Sequence, residues 1–570
     1  MNAVIIFLIS VGGFIIAYFT YGRFIRDRIL SIDPGRETPA HRLKDGVDYV
    51  PSNKFVLFGH HFASIAGLGP IMGPAIAVIW GWLPAVLWVV FGSIFLGAVH
   101  DFTALGLSLR HDARSIGDIT QNIIGFRAKL LFLFIIFFLL SMAMGVFALI
   151  IAILFKMFPE AVVPVISLIA IAMVMGFVVY RTPIGLGWST VVGVALMFFM
   201  IWVGTKFPVT LFSQSSWIYI LLAYAFIASI LPVWLLLQPR DYLNSFQLYA
   251  GLGLMFLGLF VYNPKIVAPA INAEPSDLPS LFPFLFITIA CGAISGFHNL
   301  VSSGTTAKQI NSERDARFIG YGGMLMEGVL AVLVILASTA GVVSLAVWRG
   351  HYQSWQLASG LEPKLNAFIS GAGLFLQKLG IPPGFAITFM TVMVVSFAMT
   401  TLDSATRLLR YNIEELGKSF KPKFAINRYL ASFIAVLAIA YFALMKVDGK
   451  PAGIILWQLF GTTNQLLAGL GLLTVSIFLI KLRRPSIYTL LPMAFMLFMT
   501  ITAMVLKIAD FWSAADPDKR SWPLLIVGSL ILVMALWLLV EALISIKAFY
   551  VSYARKPSLV ETELQNPQKS

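Results

Sequence analysis

An all-α, polytopic membrane fold is what this sequence predicts, with about fifteen transmembrane helices, a five-plus-five inverted-repeat core and extra helices at both ends. Three observations carry the prediction. Of the 570 residues 59% are hydrophobic and only 12% charged, with a mean hydropathy of +0.89. Soluble domains carry about 25% charged residues, and a chain this apolar cannot cover its own surface in water, so its solvent is lipid. Second, span-length apolar segments follow one another with no long polar stretch between them. Third, Gly- and Pro-rich breaks recur five spans apart.

The spans are expected at about 3–21, then 55–81, 84–108, 129–156, 160–180 and 184–204. Five more lie at about 215–237, 246–263, 281–305, 318–348 and 381–408, and four close the chain at about 429–446, 453–480, 486–507 and 522–546. Each must be helical, because lipid cannot satisfy free backbone groups, and a barrel would show alternating ten-residue strands instead. The first span has no basic segment before it and no small-residue cleavage site, so it reads as retained. Residues 1–54 form an N-terminal helix and basic loop. Residues 55–410 form the core, with repeats at 55–204 and 215–408. Residues 411–570 supply four further helices and a tail.

Orientation follows from Lys and Arg, which concentrate on the cytoplasmic side. Fifteen spans threaded with the N-terminus outside place 29 of the 40 Lys and Arg residues inside and 11 outside. The clusters Arg23/Arg26/Arg28, Lys308/Arg314/Arg317, Lys418/Lys421/Lys423 and Arg483/Arg484 all fall inside. This predicts a multi-pass protein of the cell inner membrane, C-terminus cytoplasmic, with loops 22–54 and 411–428 inside. The net charge of +14 is thereby accounted for by topology, without a nucleic-acid partner. Cys291 is the only cysteine, which excludes an intrachain disulfide and a cysteine-based metal site.

Helices broken by Gly and Pro expose backbone that can line a cavity, and in transporters they mark the binding site. The second span carries a dense cluster from Gly59 to Pro74, and the seventh reads Ile230-Leu-Pro-Val-Trp234 before Gln238-Pro-Arg-Asp-Tyr242. An odd offset makes these helices antiparallel, as an inverted repeat requires. Gly and Pro are also common in membrane helices generally, which accounts for a single break as well as function does, but not for the cluster.

Several of these strings are familiar. Gly59-His-His-Phe-Ala-Ser-Ile-Ala-Gly67, Trp80-Gly-Trp-Leu-Pro84 and Gly97-Ala-Val-His-Asp-Phe102 resemble the carbon starvation protein A family. So do Ile294-Ser-Gly-Phe-His-Asn-Leu-Val-Ser-Ser-Gly-Thr-Thr306, Thr401-Leu-Asp-Ser-Ala-Thr-Arg407 and Phe460-Gly-Thr-Thr-Asn-Gln465. The likeness runs from about residue 50 to 480. It implies a relative of the amino acid–polyamine–organocation superfamily, with a five-plus-five repeat, that takes up pyruvate or short peptides under carbon starvation. Asn299 and Ala307 depart from the family's serine-rich motif.

Ionisable and polar groups at membrane depth are the candidate site, since an unpaired one costs a few kcal/mol or more. His61, beside Ser64, has two open readings: a donor to a substrate carboxylate or proton carrier, and a histidine fixed by a backbone carbonyl. The half-helix after Gly67-Leu-Gly69-Pro70 offers free N–H groups and a positive dipole end to a carboxylate. His298, with Trp234 in an aromatic wall that includes Phe58, Phe62 and Phe297, completes the expected substrate site. Under the five-plus-five numbering the ninth span would be helix eight of the core, which the superfamily resemblance implies faces the first broken helix. On it Ser302, Ser303, Thr305 and Thr306, with carbonyls from Ala63 to Gly67, are expected to cage sodium. Ser and Thr also bond their own i−4 carbonyls, but this many polar side chains in one short run exceed that need. Asp101 and Glu327 are the competing proton carriers. His100 with Asp101 reads as a gating or interfacial capping pair. Asp403 and Arg407, spaced i,i+4 with the acid first and near the cytoplasmic end, read as a structural ion pair or as an inner gate. Asn464-Gln465 reads as an interhelical hydrogen-bond pair.

No Walker-type G-x-x-x-x-G-K-[ST] run is present to support an ATP-driven pump, and no filter repeat suggests a channel. The expected function is a cation-coupled secondary importer, its partners a small-molecule substrate, Na+ or H+ and the lipid bilayer. No cofactor and no metal are expected: the histidines lack ligand-like spacing. The rival class is a membrane enzyme, for which His60/His61 with His100/Asp101 would be the constellation.

Overall fold

The computed structural model describes residues 1–46, 48–358, 360–420, 427–447, 450–513 and 521–555. Apart from a short hairpin pairing Lys446–Val447 with Lys450–Pro451, the regular elements among them are helical. Among the described residues eleven helices are long and apolar enough to cross a membrane, or twelve with one bent pair counted as a single span. In chain order these helices begin with α1 (Ala3–Leu30), the bent pair α2 (Lys54–Ile65) and α3 (Gly69–Trp80), α4 (Trp82–Arg110) and α5 (Phe126–Met157). Next come α6 (Pro159–Arg181), α7 (Leu186–Lys206), the shorter α8 (Gln214–Ile230) and α9 (Leu237–Tyr262). A second broken segment follows, α10 (Leu281–Thr288) and α11 (Gly296–Gly304), then α12 (Glu313–Ala340). The remainder are α13 (Leu361–Gln377), α14 (Pro383–Phe420), α15 (Arg428–Ala443), α16 (Ile455–Lys481), α17 (Ile487–Trp512) and α18 (Trp522–Tyr553).

Burial separates core from periphery. Helices α5, α12, α14 and α16 are mostly buried, whereas α7 is mostly exposed along its length. A segment that is apolar all round and buried must be enclosed by other helices, while exposed apolar faces meet lipid. Outward-facing Phe199, Trp202, Leu491, Phe498, Val533 and Leu543 show that lipid-facing surface.

Packing around the two broken segments is reciprocal. Helix α9 lies on α2 and α14, while α16 lies on α11 and α5. Helix α8 touches α5, α14 and α15, and α15 touches α5, α14 and α8. Helix α3 packs on α12 much as α11 packs on α4. The hairpin α6–α7 packs on α9 and α14 and takes no part in this reciprocity.

Several sequence expectations change. The Ile230–Trp234 string is the turn joining α8 to α9, not a break inside a span, because α8 stops at Ile230 and α9 begins at Leu237. The second broken helix is the expected ninth span, which unwinds between Thr288 and Gly296. Helix α14 runs on to Phe420, so residues 411–420 of the expected loop at 411–428 are helix. Lys421, Lys423 and the tail from 556 onward lie outside the described residues. π-helical turns at Ser93–Gly97 and Arg317–Tyr321 sit within α4 and α12. An extra residue per turn re-aims the side chains that follow, here toward the site described next.

Candidate functional site

The two breaks meet inside the molecule. Helices α2 and α3 diverge by 48° across Ala66–Leu68. A side chain at Gly69 would collide with Cys291 in the second break, and one at Gly73 would lie 2.5 Å from the Thr288 carbonyl oxygen. A Cβ on Gly67 would come within 2.5 Å of Thr401 Oγ1 and 3.3 Å of Phe147. Glycine is needed at these positions because the space a Cβ would take is filled, by backbone at Gly73 and by side chains at Gly67 and Gly69. Two residues of α16 close the second break: the Asn464 Oδ1 accepts from the Phe297 N–H at 2.9 Å, and the Asn464 amide donates to Ser295 Oγ at 3.0 Å. The Gln465 amide donates to the carbonyls of Phe286 and Ile289 at 2.5 and 3.4 Å. One residue thus meets the orphan donors of α11 and the other the orphan acceptors of α10. The expected interhelical role of this pair holds, and its targets are the broken ends.

Beside the breaks lies a network of ionisable groups. His298 stands near the start of α11. Its Nδ1 is 2.9 Å from Asp101 Oδ2, and its Nε2 is 3.2 Å from Glu327 Oε2. His100 Nδ1 is 2.8 Å from the other Asp101 oxygen. Asp101, His298 and Glu327 are 0% exposed. The pair His100/Asp101 is therefore not an interfacial cap. His61 Nδ1 pairs with Thr306 Oγ1 at 2.9 Å, and its ring lies against Gly323. His100 Nε2, His61 Nε2, both polar atoms of Asn299, Ser64 Oγ and Ser302 Oγ are buried with no hydrogen-bond partner among the described residues. Unsatisfied groups this deep cost about 1–3 kcal/mol each.

A second polar cluster lies toward the face carrying the loop at 31–53. Arg240 and Asp403 form a contact ion pair, and Tyr224 donates to Asp403 Oδ2 at 2.6 Å. His60 Nδ1 lies 2.8 Å from Asp241 Oδ2, linking α2 to α9. Arg407 donates to the carbonyls of Ala228 and Leu231 at the end of α8. The expected Asp403–Arg407 pair is therefore replaced: each reaches α8 or α9 rather than the other. An Arg in a low-dielectric site takes the partner that compensates its charge, and a buried Arg240 offers Asp403 more than its own-helix neighbour does.

The expected sodium cage is rearranged as well. Ser303 donates to Asn299 O, its own i−4 carbonyl, at 2.8 Å and accepts from the Ile116 N–H at 3.1 Å. Thr305 likewise donates to Val301 O at 2.9 Å. The hydroxyls beside the first break are those of α14: Thr400 Oγ1 is 3.4 Å from the Ala63 carbonyl oxygen, and Thr401 adjoins Gly67. Trp234 sits apart, its ring 5.7 Å from Tyr180 and under Arg181. The aromatic wall is built instead by Phe58, Phe62, Tyr249 and Phe318. Arg240, Asp241 and Thr400 are site residues that sequence reasoning does not single out. Arg240-Asp241 carried a legible signal, two adjacent charges in an otherwise apolar stretch.

Comparison with known proteins gives the family and the fold. The sequence profile described as "Carbon starvation protein CstA" matches residues 2–348 and 353–503. The peptide transporter CstA of Escherichia coli strain K12 is 35% identical over 585 residues, covering 91% of this chain and 82% of that protein. The pyruvate/proton symporter BtsT of the same organism is 33% identical, covering 89% of this chain and 82% of that protein. A manganese transporter of Eremococcus coleocola, solved with an aromatic bis-isothiourea substituted compound, shares the fold. Its TM-score is 0.50 at 12% identity, covering 89% of this chain and 99% of that chain.

Proposed function

The chain belongs to the carbon starvation protein CstA family, and from that premise we propose that it is a proton-coupled secondary transporter importing a small carboxylate, pyruvate or a short peptide, across the cytoplasmic membrane. The observation that carries the reading is His298, whose two ring nitrogens each face a buried carboxylate. The ring can face both carboxylates as a donor only when it holds two protons; Asp101 has His100 as a further partner, while neither Glu327 oxygen has a hydrogen bond within the described residues. An imidazolium between two carboxylates still leaves one net negative charge inside the membrane, which is costly. One further proton, on Glu327 or Asp101, cancels it. Proton binding therefore changes how firmly α11 is held to α4 and α12, and α11 is half of a broken helix. The relative named as a pyruvate/proton symporter supports this choice of ion. The hydroxyls of Thr400 and Thr401 against Ala63 and Gly67 favour sodium as the second reading.

The substrate carboxylate is assigned to the junction of the breaks, to the N–H groups of Leu68 and Gly69 at the start of α3, since Pro70 has none and those of Ile71 and Met72 donate to the Leu68 carbonyl. Such contacts contribute about 0.3–1 kcal/mol each at exposed sites and more when partly buried. Micromolar binding needs about 8 kcal/mol, so side chains must add to them, with His61, Ser64 and His298 the candidates. The core repeat is read as α2/α3, α4, α5, α8 and α9 against α10/α11, α12, α14, α15 and α16, with α6–α7 as an insertion. The N-terminus lies outside and the face carrying loop 31–53 is cytoplasmic.

The test is uptake of labelled pyruvate and dipeptide into sealed vesicles, under an imposed proton gradient and, separately, an imposed sodium gradient. Unlabelled pyruvate, propionate, dipeptide and amidated dipeptide serve as competitors. Proton-driven accumulation is expected, competed by carboxylates and not by the amidated peptide. Glu327→Gln is expected to lose gradient-driven accumulation while retaining exchange of substrate for substrate. Accumulation driven by sodium alone, untouched by Glu327→Gln, would move the coupling site to Thr400 and Thr401.

A further inference from the structure

Between α5, α11, α14 and the short helix Ile116–Ile123 lies a cavity of about 410 Å³, within the range of about 300–1,000 Å³ typical of small-molecule sites. It reaches Leu300, Ser303 and Gly304 of α11 at its deep end and Lys418 among its other lining residues. It opens on the face that carries the loop at 31–53, and nothing in the site described above uses it.

Its charges are unevenly committed. Asp118 and Glu415 both face the ammonium of Lys129, at 2.7 and 3.6 Å, and Glu415 also accepts from Ser115 Oγ at 2.9 Å. Asp118 faces Arg114 at 3.6 Å as well, and Glu414 faces Arg410 at 3.6 Å. Each acid lining the cavity thus faces a cation, although Glu415 Oε1 itself has no hydrogen bond among the described residues. Lys308 is not held in this way. Its ammonium sits 5.5 Å from the ring centre of Tyr49 and 5.2 Å from that of Tyr411, with no carboxylate within 4.0 Å among the described residues. The fields of Asp48, Asp45 and Glu415 reach it from farther away. Two aromatic faces hold a cation in position while leaving its outward hydrogens free to donate. Asn412, on α14 and 5% exposed, lines the same cavity with both its amide nitrogen and its oxygen unpartnered. A positioned ammonium and an idle buried amide in one cavity of this size are the groups that receive a carboxylate.

We infer that this cavity is a second, cytoplasm-facing site for the transported carboxylate, with Lys308 and Asn412 as its ligands. The inference rests on the transport reading and deepens it. Substrate released from the broken helices pauses there before leaving, and carboxylate already in the cytoplasm refills it, which makes the site a brake on further import.

The experiment compares half-saturation for pyruvate from the two faces of the membrane, in right-side-out and inside-out vesicles, for the full chain and for Lys308→Gln, Lys308→Arg and Asn412→Leu. Lys308→Gln and Asn412→Leu are expected to raise half-saturation at the cytoplasmic face fivefold or more and to leave the outer face within twofold. Lys308→Arg is expected to stay near wild type. Retained outer-face uptake also shows that the variants fold. Equal shifts at both faces, or none at the cytoplasmic face, overturn the inference while leaving the transport reading intact. Competition by inorganic phosphate as strong as by acetate at the cytoplasmic face overturns the assignment to carboxylates. Wild-type vesicles that move neither pyruvate nor dipeptide overturn the transport reading, and the inference with it.

Discussion

Single residues show how a low-dielectric interior sets its own pairing rules. Arg240 meets Asp403 and Tyr224 with almost no exposure to solvent. Removing one partner strands a buried charge, at a cost of about 3–5 kcal/mol. Asp403→Ala is therefore expected to lower the detergent-solubilised melting temperature substantially. Asp403→Ala with Arg240→Leu removes both charges and is expected to recover most of the loss. A double variant no more stable than the single one would show that the pair is not what holds α9 to α14. The pairing was not legible in sequence because Asp403 and Arg407 satisfy the helical i,i+4 rule. That rule describes an isolated helix surface, and here the competing partner comes from 163 residues away.

Elements show why the breaks fall where they do. Proline at 232 resembled a helix break, yet it sits in the turn between α8 and α9, where a missing N–H costs nothing. The true second break, around Cys291 to Ser295, holds no proline at all. It survives because Asn464 and Gln465 of a distant helix take up the released backbone groups. The contact between breaks gives an element-level prediction. Gly69→Ala drives a methyl group into Cys291 and is expected to abolish transport while leaving expression near wild type. Adding Cys291→Gly frees that volume and is expected to restore part of the uptake. Wild-type transport by Gly69→Ala alone would mean the breaks stand farther apart than the structure places them.

At the scale of the whole molecule, one face gathers the basic loops. Arg110 donates to the carbonyls of Leu30 and Ser31, and Arg484 donates to that of Ile29. Lys481 donates to the carbonyl of Ile123. The opposite face joins Asn2 to Asn263 and Arg349 to Glu274. A reporter active only in the cytoplasm, fused after Arg110, is expected to be active, and after Lys378 inactive. The reverse pattern would overturn the threading and the assignment of the large cavity to the cytoplasmic side.

Sequence alone determined that this chain lives in lipid, that its regular structure is helical and that Gly59 to Pro74 marks a break, because hydropathy and backbone satisfaction are local requirements. It also singled out His61, Asp101, His298 and Glu327, since each charge or imidazole is conspicuous in an apolar segment. Only the tertiary structure decided that His298 bridges Asp101 and Glu327, that Thr400 rather than Ser303 faces Ala63, and that Trp234 stands apart from the breaks. Partners in these contacts come from helices distant in sequence, and their choice depends on which charges and free backbone groups remain uncompensated once the helices have packed.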